Sequence, residues 1–251
     1  MRRHFVSLLV TSLFVVTFGA QAAPRNAEPV VEVTPIPDPI EPFNRAVFQF
    51  NRGVDFLILN PAATAYKKIL PQFARDSIDS FLSNLASPIY MANELLQWDI
   101  KDFDIVLRRF VVNSTLGMGG LIDVAGYHGL PAPAPEDFGQ TMGKWGADHG
   151  IYVVLPVIGS SSLRDGTGFL VDSYADPFNS WARNTDRDWA LYTRGGVAAV
   201  NKRAKIGESY NDIMQNAVDP YVTFRSIYKQ NRDYLIQDQA VDSYADAEAG
   251  E

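Results

Sequence analysis

The chain has 251 residues, no cysteine and a formal net charge of −7 at neutral pH. Without cysteine, the fold must be held together by packing and hydrogen bonding rather than by disulfides. Most of the negative charge lies near the ends, since residues 38–237 contain 19 basic and 22 acidic residues. A body so nearly neutral lacks the basic stripe of a nucleic-acid-binding surface, and we therefore expect no nucleic-acid partner.

The first 22 residues have the pattern of a secretory signal peptide. Arg2 and Arg3 form a basic start, an apolar run follows, and Ala20-Gln21-Ala22 has the small residues of a cleavage site. The apolar run is shorter than the roughly 20 residues that span a bilayer, so a retained membrane anchor is the weaker alternative. Residues 23–37 contain four prolines and are predicted to form an extended linker. The sequence therefore predicts an exported protein.

Residues 38–237 are predicted to form one mainly helical domain. Its first helix runs from Glu41 to Ile58, and Arg45 and Arg52 lie opposite its apolar stripe. The side that carries the arginines also has aromatic residues, which leaves two explanations open. The helix is either buried between two layers of protein or lies in the interface of a bilayer. The stripe consists of Phe43, Val47, Phe50, Val54 and Leu57.

Further helices are predicted at 71–87, 88–97, 101–116, 188–204 and 206–217. The last helix begins with Asp219 as its N-cap and Pro220 in its first position. It is basic and amphipathic, so its polar face fits either anionic headgroups or water. Residues 238–251 contain five acidic residues and neither lysine nor arginine, which predicts a disordered tail.

Two glycine-rich segments interrupt this helical pattern. The first, NSTLGMGGLIDVAGYHG at 113–129, combines five glycines with apolar side chains. Such backbone does not suit a water-exposed loop, which is normally polar, or the interior of a helix, where glycine is unfavourable. The second spans 138–168 and has glycines among aromatic and β-branched residues. It is either a loop and hairpin between helical parts or a movable gate with glycine hinges.

No arrangement of residues predicts catalysis, a metal site or a cofactor site. His128 and His149 both neighbour glycine, and neither belongs to a zinc-binding pattern. Residues 160–162 are serines, but they lack the surroundings of an activated nucleophile. An exported hydrolase that uses Ser160 to Ser162 is therefore only a third hypothesis, and we expect no enzymatic activity.

Five segments, in this order along the chain, resemble the MlaA family, also called VacJ. They are DPIEPFNRAVFQFN, NSTLGMGGLIDVAG, EDFGQTMGKWG, YVVLPVIGSSSLRDGTG and DPY. The resemblance covers about residues 38–236. It implies a mainly α single domain of amphipathic helices arranged as a ring around an amphipathic channel, with a glycine-rich hairpin or loop excursion.

The resemblance also implies a function in phospholipid transport. Such a protein extracts mislocalised phospholipids from the outer leaflet of the outer membrane and passes them to a periplasmic carrier of the MlaC type, and it associates with a trimeric porin. The alternative is a periplasmic, membrane-associated scaffold or lipid-binding module without its own channel. Since the chain has no cysteine to acylate, we expect a protein at the periplasmic face of the outer membrane that is not a lipoprotein.

Three sets of residues follow as candidates for the channel. The channel hairpin and its hinges are Gly139, Gly143, Gly146 and Gly150. The flexible apolar segment is Gly117, Gly119, Gly120, Leu121 and Ile122. Phe43, Phe50 and Phe110 are expected to form apolar wall.

Overall fold

The structure, a computed structural model, describes residues 35–132 and 134–237. The predicted signal peptide, residues 23–34 of the predicted linker, and the predicted tail at 238–251 lie outside the described residues. The described residues are mainly helical and belong to one compact unit, which confirms the predicted mainly α single domain. The helices are α1 (Glu41–Val54), α2 (Asn60–Ile69), α3 (Gln72–Leu96), α4 (Ile100–Thr115), α5 (Val124–Tyr127), α6 (Phe138–Lys144), α7 (Leu163–Ala175), α8 (Pro177–Asn184), α9 (Asp188–Asn216) and α10 (Pro220–Ile236).

The first predicted helix is longer than expected and changes its winding. Helix α1 is followed by a π-helical turn at Asp55–Leu59, which leads directly into α2. Pro61 lies in the first turn of α2 and has no N–H to donate. A π turn immediately before a proline accommodates this missing hydrogen bond by widening the helix locally. The helix therefore continues to Ile69 rather than ending at Ile58.

Two predicted helix breaks do not occur. Pro88 was expected to begin a new helix, but it lies inside α3, which is continuous over 25 residues. Because Pro88 has no N–H, the carbonyl of Asn84 receives no helical hydrogen bond there, and tertiary packing retains the helix in spite of that loss. The two helices predicted at 188–204 and 206–217 are likewise one helix, α9.

A two-stranded antiparallel hairpin joins the helices near the chain's centre. Strand β1 (Tyr152–Leu155) pairs with β2 (Gly159–Ser162). Its outer edge is bonded to α1 by Asn44, whose side chain donates to the Tyr152 carbonyl at 2.9 Å and accepts from the Val154 N–H at 2.9 Å. Asn51, two helical turns later, bonds the next part of the same edge in the same way. The two asparagine side chains thus bond to the backbone of the hairpin as a neighbouring strand would.

The hairpin begins later than the sequence suggested. Residues 138–144 form helix α6, and the strands start only at Tyr152. Asp137 caps α6 by accepting from the Gln140 N–H at 2.9 Å, which favours a helix over a strand. Gly139 in α6 also lies against Gly168 in α7, so closely that a Cβ on Gly168 would come within 2.4 Å of the Gly139 nitrogen. The first glycines of the segment therefore permit helix packing rather than a hairpin.

The distribution of polar and apolar side chains departs from that of an ordinary globular protein. The buried apolar cluster is small and centres on Tyr152, Val154 and Tyr221, whereas buried polar residues include Asn44, Gln140 and Thr141. Many large apolar side chains are exposed, among them Trp98, Trp145, Trp181 and Trp189, the four tryptophans of the chain. Exposed apolar area on this scale marks an interface with protein or lipid. Within residues 35–132 and 134–237, no helix has the length and apolarity needed to cross a membrane.

Candidate functional site

An apolar cavity of about 300 Å³ lies between α3, α4 and α8. It receives side chains from each of these helices and is bounded on one side by the first glycine-rich segment. Its lining residues are Phe81, Asn84, Leu85, Pro88, Phe110, Gly119, Pro177, Phe178 and Trp181. The space is open on one side, and its wall is apolar apart from one polar side chain.

Asn84 is the polar group of this cavity. Its amide donates to the Ser114 hydroxyl at 3.0 Å and to the Gly119 carbonyl at 3.4 Å, while its buried side-chain oxygen has no hydrogen-bond partner among the residues that the structure describes. A Cβ on Gly120 would come within 2.5 Å of the Asn84 side chain. Glycine at 120 therefore allows the first glycine-rich segment to close onto Asn84 and to form one wall of the cavity.

The structure brings together some of the residues that the sequence selected. Phe110, a predicted wall residue, and Gly119, from the predicted flexible segment, both line the cavity. Leu121 and Ile122, which follow shortly after Gly119 in the sequence, are exposed. Phe43 and Phe50 are exposed on α1 and do not line this cavity, so the predicted wall is not one continuous surface here. Whether Phe43 and Phe50 contact lipid stays a prediction.

The predicted hinge glycines have two different environments. Gly139 and Gly143 lie within α6, where an added Cβ would meet Asp165 and Ile236 at less than 3 Å. Both glycines therefore lie in a tightly packed helix and not, as the sequence had predicted, in a hairpin. Gly146 and Gly150 have φ values of +93° and +69° and an added Cβ would meet little there. Movement at these two turn glycines stays a prediction.

Helix α8 contributes residues that the sequence analysis missed. Asp176 caps it by accepting from the N–H groups of Phe178 and Asn179, and Phe178 and Trp181 then point to one side at a spacing of three. The dipeptide Asp176-Pro177, an N-cap followed by proline, was the available signal for this helix. Both aromatic rings line the cavity, and each is also close to an arginine.

Ser160 and Ser162, considered for hydrolysis, and His149, considered for zinc binding, have structural partners. The Ser160 hydroxyl accepts from the Tyr152 hydroxyl at 2.7 Å, and the Ser162 hydroxyl caps α7 by accepting from the Asp165 N–H at 3.2 Å. His149 lies 2.7 Å from the carboxylate of Asp233. No group of residues in the described parts of the chain is arranged to hold a metal ion.

Two buried glutamates lie between α3 and α6. Burial raises the pKa of Glu94 to about 8, and the nearby charge of Glu136 adds to the effect. Burial likewise raises the pKa of Glu136 to about 7, although Gln97 donates to its carboxylate at 2.7 Å. Both acids are almost fully buried, with 3% and 4% exposure. This polar layer of the interior is therefore less charged at neutral pH than its sequence suggests.

We expect the protein to become less stable as pH rises from about 5 to 8. Below pH 4.5 Glu94 is protonated in both states, whereas between pH 4.5 and 8 it ionises only in the unfolded state. The Glu94→Gln variant should remove the part of this loss that Glu94 causes and be more stable than the parent at pH 8, by on the order of 2–3 kcal/mol. Thermal unfolding at pH 5, 6.5 and 8 measures the effect. Glu208→Gln, at an exposed glutamate, is the matched control, and an equal response in both variants would contradict the prediction.

Comparisons with known proteins agree on one family. Residues 36–235 match the family model described as MlaA lipoprotein. An uncharacterized protein of Rickettsia felis is 38% identical over 213 residues, which cover 85% of this chain and 82% of that protein. The intermembrane phospholipid transport system lipoprotein MlaA of Escherichia coli is 36% identical over 202 residues, which cover 79% of this chain and 78% of that protein.

A solved structure is also similar over most of its length. It was described as the structural basis for maintenance of bacterial outer membrane lipid asymmetry, and it superposes with a TM-score of 0.71 at 38% sequence identity. The match covers 79% of this chain and 98% of that one.

These names overturn one expectation. The protein was predicted not to be a lipoprotein because the chain has no cysteine. The family model and the relatives of Escherichia coli, Shigella flexneri and Haemophilus influenzae are all named as lipoproteins, which contradicts that prediction. The error came from treating one residue type as sufficient evidence of how the protein is attached. Association with the outer membrane agrees with the description of the solved structure.

Proposed function

The chain belongs to the MlaA family, and we propose that it is an outer-membrane phospholipid transport protein. It removes mislocalised phospholipids from the outer leaflet and passes them toward the periplasm, and so maintains the lipid asymmetry of that membrane. The observation that carries the proposal, beside the family, is a protein with apolar side chains outside, polar side chains inside and an apolar cavity between its helices.

The exposed apolar side chains support a position in lipid. On the π turn, Phe56 and Leu57 are 73% and 72% exposed, although both are large and apolar. Ile69 and Phe73, on either side of the turn between α2 and α3, are exposed to a similar extent. Exposure of this kind is unfavourable in water and favourable in hydrocarbon. We propose that the surface formed by these exposed apolar side chains lies within one leaflet of the membrane.

The buried polar side chains support the passage of a headgroup. A phospholipid that leaves one leaflet must carry its charged headgroup through a region of low dielectric constant, where an unpaired charge is costly. A path lined by amide and hydroxyl groups such as those of Asn93, Gln97 and Thr141 would lower that barrier. Such a path needs no covalent chemistry, and we propose that the protein acts without enzymatic turnover.

Two partners complete the proposal. The family resemblance suggests a soluble periplasmic carrier of the MlaC type as the receiver of the lipid, and a trimeric porin as the membrane partner. Purification of the tagged protein from outer membranes in mild detergent, followed by identification of the bound proteins, tests both. Failure to recover either protein would contradict this part of the proposal. The transport function itself is tested separately, by the experiment described next.

A strain that lacks the gene tests the function directly. We expect its cell surface to expose more phospholipid to an amine-reactive reagent that does not cross membranes, and we expect the full chain to restore the normal level. Unchanged labelling in the deletion strain would overturn the proposal. Extraction separates it from the alternative of a membrane-associated scaffold or lipid-binding module, because a protein embedded in lipid stays with the membrane in high salt, whereas one held by charge is released.

A further inference from the structure

A positive charge lies beside one of the residues that line the cavity. The ring of Trp181 lines the cavity, and the guanidinium carbon of Arg187 lies 5.2 Å from the centre of that ring. This distance is typical of a cation–π contact, which holds the guanidinium beside the tryptophan. Arg187 is itself exposed at the start of α9. The side chain thus places a charge next to Trp181, one of the residues that line the apolar space.

Arg187 differs from most arginines of the described residues because it pairs with no carboxylate. Asp186 and Asp188 are its neighbours in sequence, but neither forms an ion pair with it, and Asp188 lies in the first turn of α9, where a helix favours an acid. A guanidinium without a carboxylate presents its donors to a ligand, and its planar fork suits a phosphate group. The arginines that do pair with a carboxylate are Arg45, Arg108, Arg109, Arg164, Arg194, Arg203, Arg225 and Arg232.

Two other arginines, one in α8 and one in α9, have structural tasks. Arg194 lies over the Phe178 ring at 5.2 Å, but its guanidinium is bound to the Asp176 carboxylate at 2.6 Å. Arg183 donates to the carbonyls of Ser173 and Tyr174 at the end of α7. Of the two arginines that lie over the aromatic rings of α8, Arg187 therefore remains available to an anionic ligand.

We propose that the cavity binds one acyl chain of a phospholipid and that Arg187 binds the phosphate of the same molecule at the cavity's edge. The inference rests on the proposed transport of phospholipid and adds the site that holds it. A volume of about 300 Å³ is at the lower limit of ligand pockets, which suits part of one acyl chain rather than a whole lipid. The second chain would lie along the exposed apolar surface.

Photocrosslinking of the purified full chain in detergent tests the site. The probe is phosphatidylglycerol with a diazirine in one acyl chain, and the crosslinked peptides are identified by mass spectrometry. We expect labelling of the cavity-lining parts of α3 and α8. The Arg187→Gln variant should reduce labelling about tenfold, which corresponds to the loss of a charge-assisted hydrogen bond. A diacylglycerol probe with the same chain should label the parent and the variant equally, since it has no phosphate.

Two further variants and one competitor make the result decisive. Arg52 is also exposed, and within the described part of the chain its side chain has no carboxylate partner and bonds to Gln49 alone, so Arg52→Gln should label like the parent. Leu85→Trp, which fills the cavity, should reduce labelling by both probes. Undiminished labelling of Arg187→Gln, or labelling outside the cavity, would overturn the inference, as would competition by millimolar inorganic phosphate, which would indicate a site for free phosphate.

The outcome is independent of the cellular test of the proposed function. If the deletion strain had normal surface phospholipid, the transport function would fail, yet Arg187-dependent crosslinking would still establish the lipid site. If surface phospholipid rose in the deletion strain and the Arg187→Gln variant crosslinked like the parent, the function would stand and this site would be wrong.

Discussion

Replacing Asn44 with alanine is expected to lower the free energy of unfolding by about 3 kcal/mol or more. The Asn44 side chain is completely buried, and it bonds to the Tyr152 carbonyl, the Val154 N–H and the Asp38 carboxylate. Alanine would leave the two backbone groups of β1 buried without partners, each at a cost of about 1–3 kcal/mol. The hairpin would also lose one of the two asparagine side chains that bond it to α1.

Asn51→Ala is the matched control for this prediction. Asn51 bonds to the Leu155 carbonyl and the Val157 N–H, but this end of the hairpin is exposed and water can replace the lost bonds. We expect a loss of about 1 kcal/mol there. Unfolding in denaturant, followed by circular dichroism of the detergent-solubilised protein, measures both variants. Equal losses at the two positions would show that burial does not decide the energy of this contact.

Replacing Gly168 with alanine is expected to destabilise the protein by about 2–3 kcal/mol, because a methyl group does not fit between α6 and α7. The added Cβ would lie 2.4 Å from the nitrogen and 2.8 Å from the Cα of Gly139. Both of these atoms belong to backbone, so the two helices would have to move apart. The shift would extend to the ion pairs that Asp137 and Asp165, at the starts of these helices, make with Arg232.

Gly166, two residues earlier in the same helix, offers the comparison. A Cβ there would meet only the Ser161 hydroxyl at 3.7 Å, so Gly166→Ala should keep the packing and stabilise the helix by up to about 1 kcal/mol. The midpoint of thermal unfolding should therefore fall in one variant and rise slightly in the other. A rise in both would mean that α6 and α7 are not in the close contact described above.

Local signals in the sequence, such as an N-cap followed by proline or a regular apolar spacing, predicted helices well where tertiary contacts did not override them. Helix α10 begins as expected, with Asp219 accepting from the Val222 N–H and Pro220 in the first turn. Helix α4 also lies within one residue of its predicted bounds, because its apolar spacing is regular over four turns. These features depend on neighbouring residues only, and so a single sequence contains them.

Features that depend on tertiary contacts were predicted less well. Pro88 was expected to separate two helices, and only the packing of α3 against its neighbours explains why the helix continues. Gly139 and Gly143 were expected in a hairpin, whereas they are needed for close helix contacts with residues that are distant in sequence. A glycine that provides flexibility and one that makes room for a neighbour look the same in a sequence.

The candidate site was predicted in part. Phe110 and Gly119 were selected for separate reasons, and both line the cavity. The contribution of α8 was not predicted, because its eight residues are too few for a clear periodic pattern. The contact of Trp181 with Arg187 depends on the turn between α8 and α9, which no local pattern specifies. The family resemblance, in contrast, was confirmed by the family model and the relatives.

The placement of the tryptophans determines what optical spectroscopy can observe in this protein. All four indoles are exposed, from 42% at Trp181 to 85% at Trp98, while the buried aromatic cluster is built around tyrosines. Indole emission will therefore respond to what surrounds the molecule, such as detergent, brominated acyl chains or water, more than to the integrity of its interior. Insertion into lipid should therefore change the tryptophan emission. Loss of the interior packing, in contrast, changes mainly the surroundings of the tyrosines.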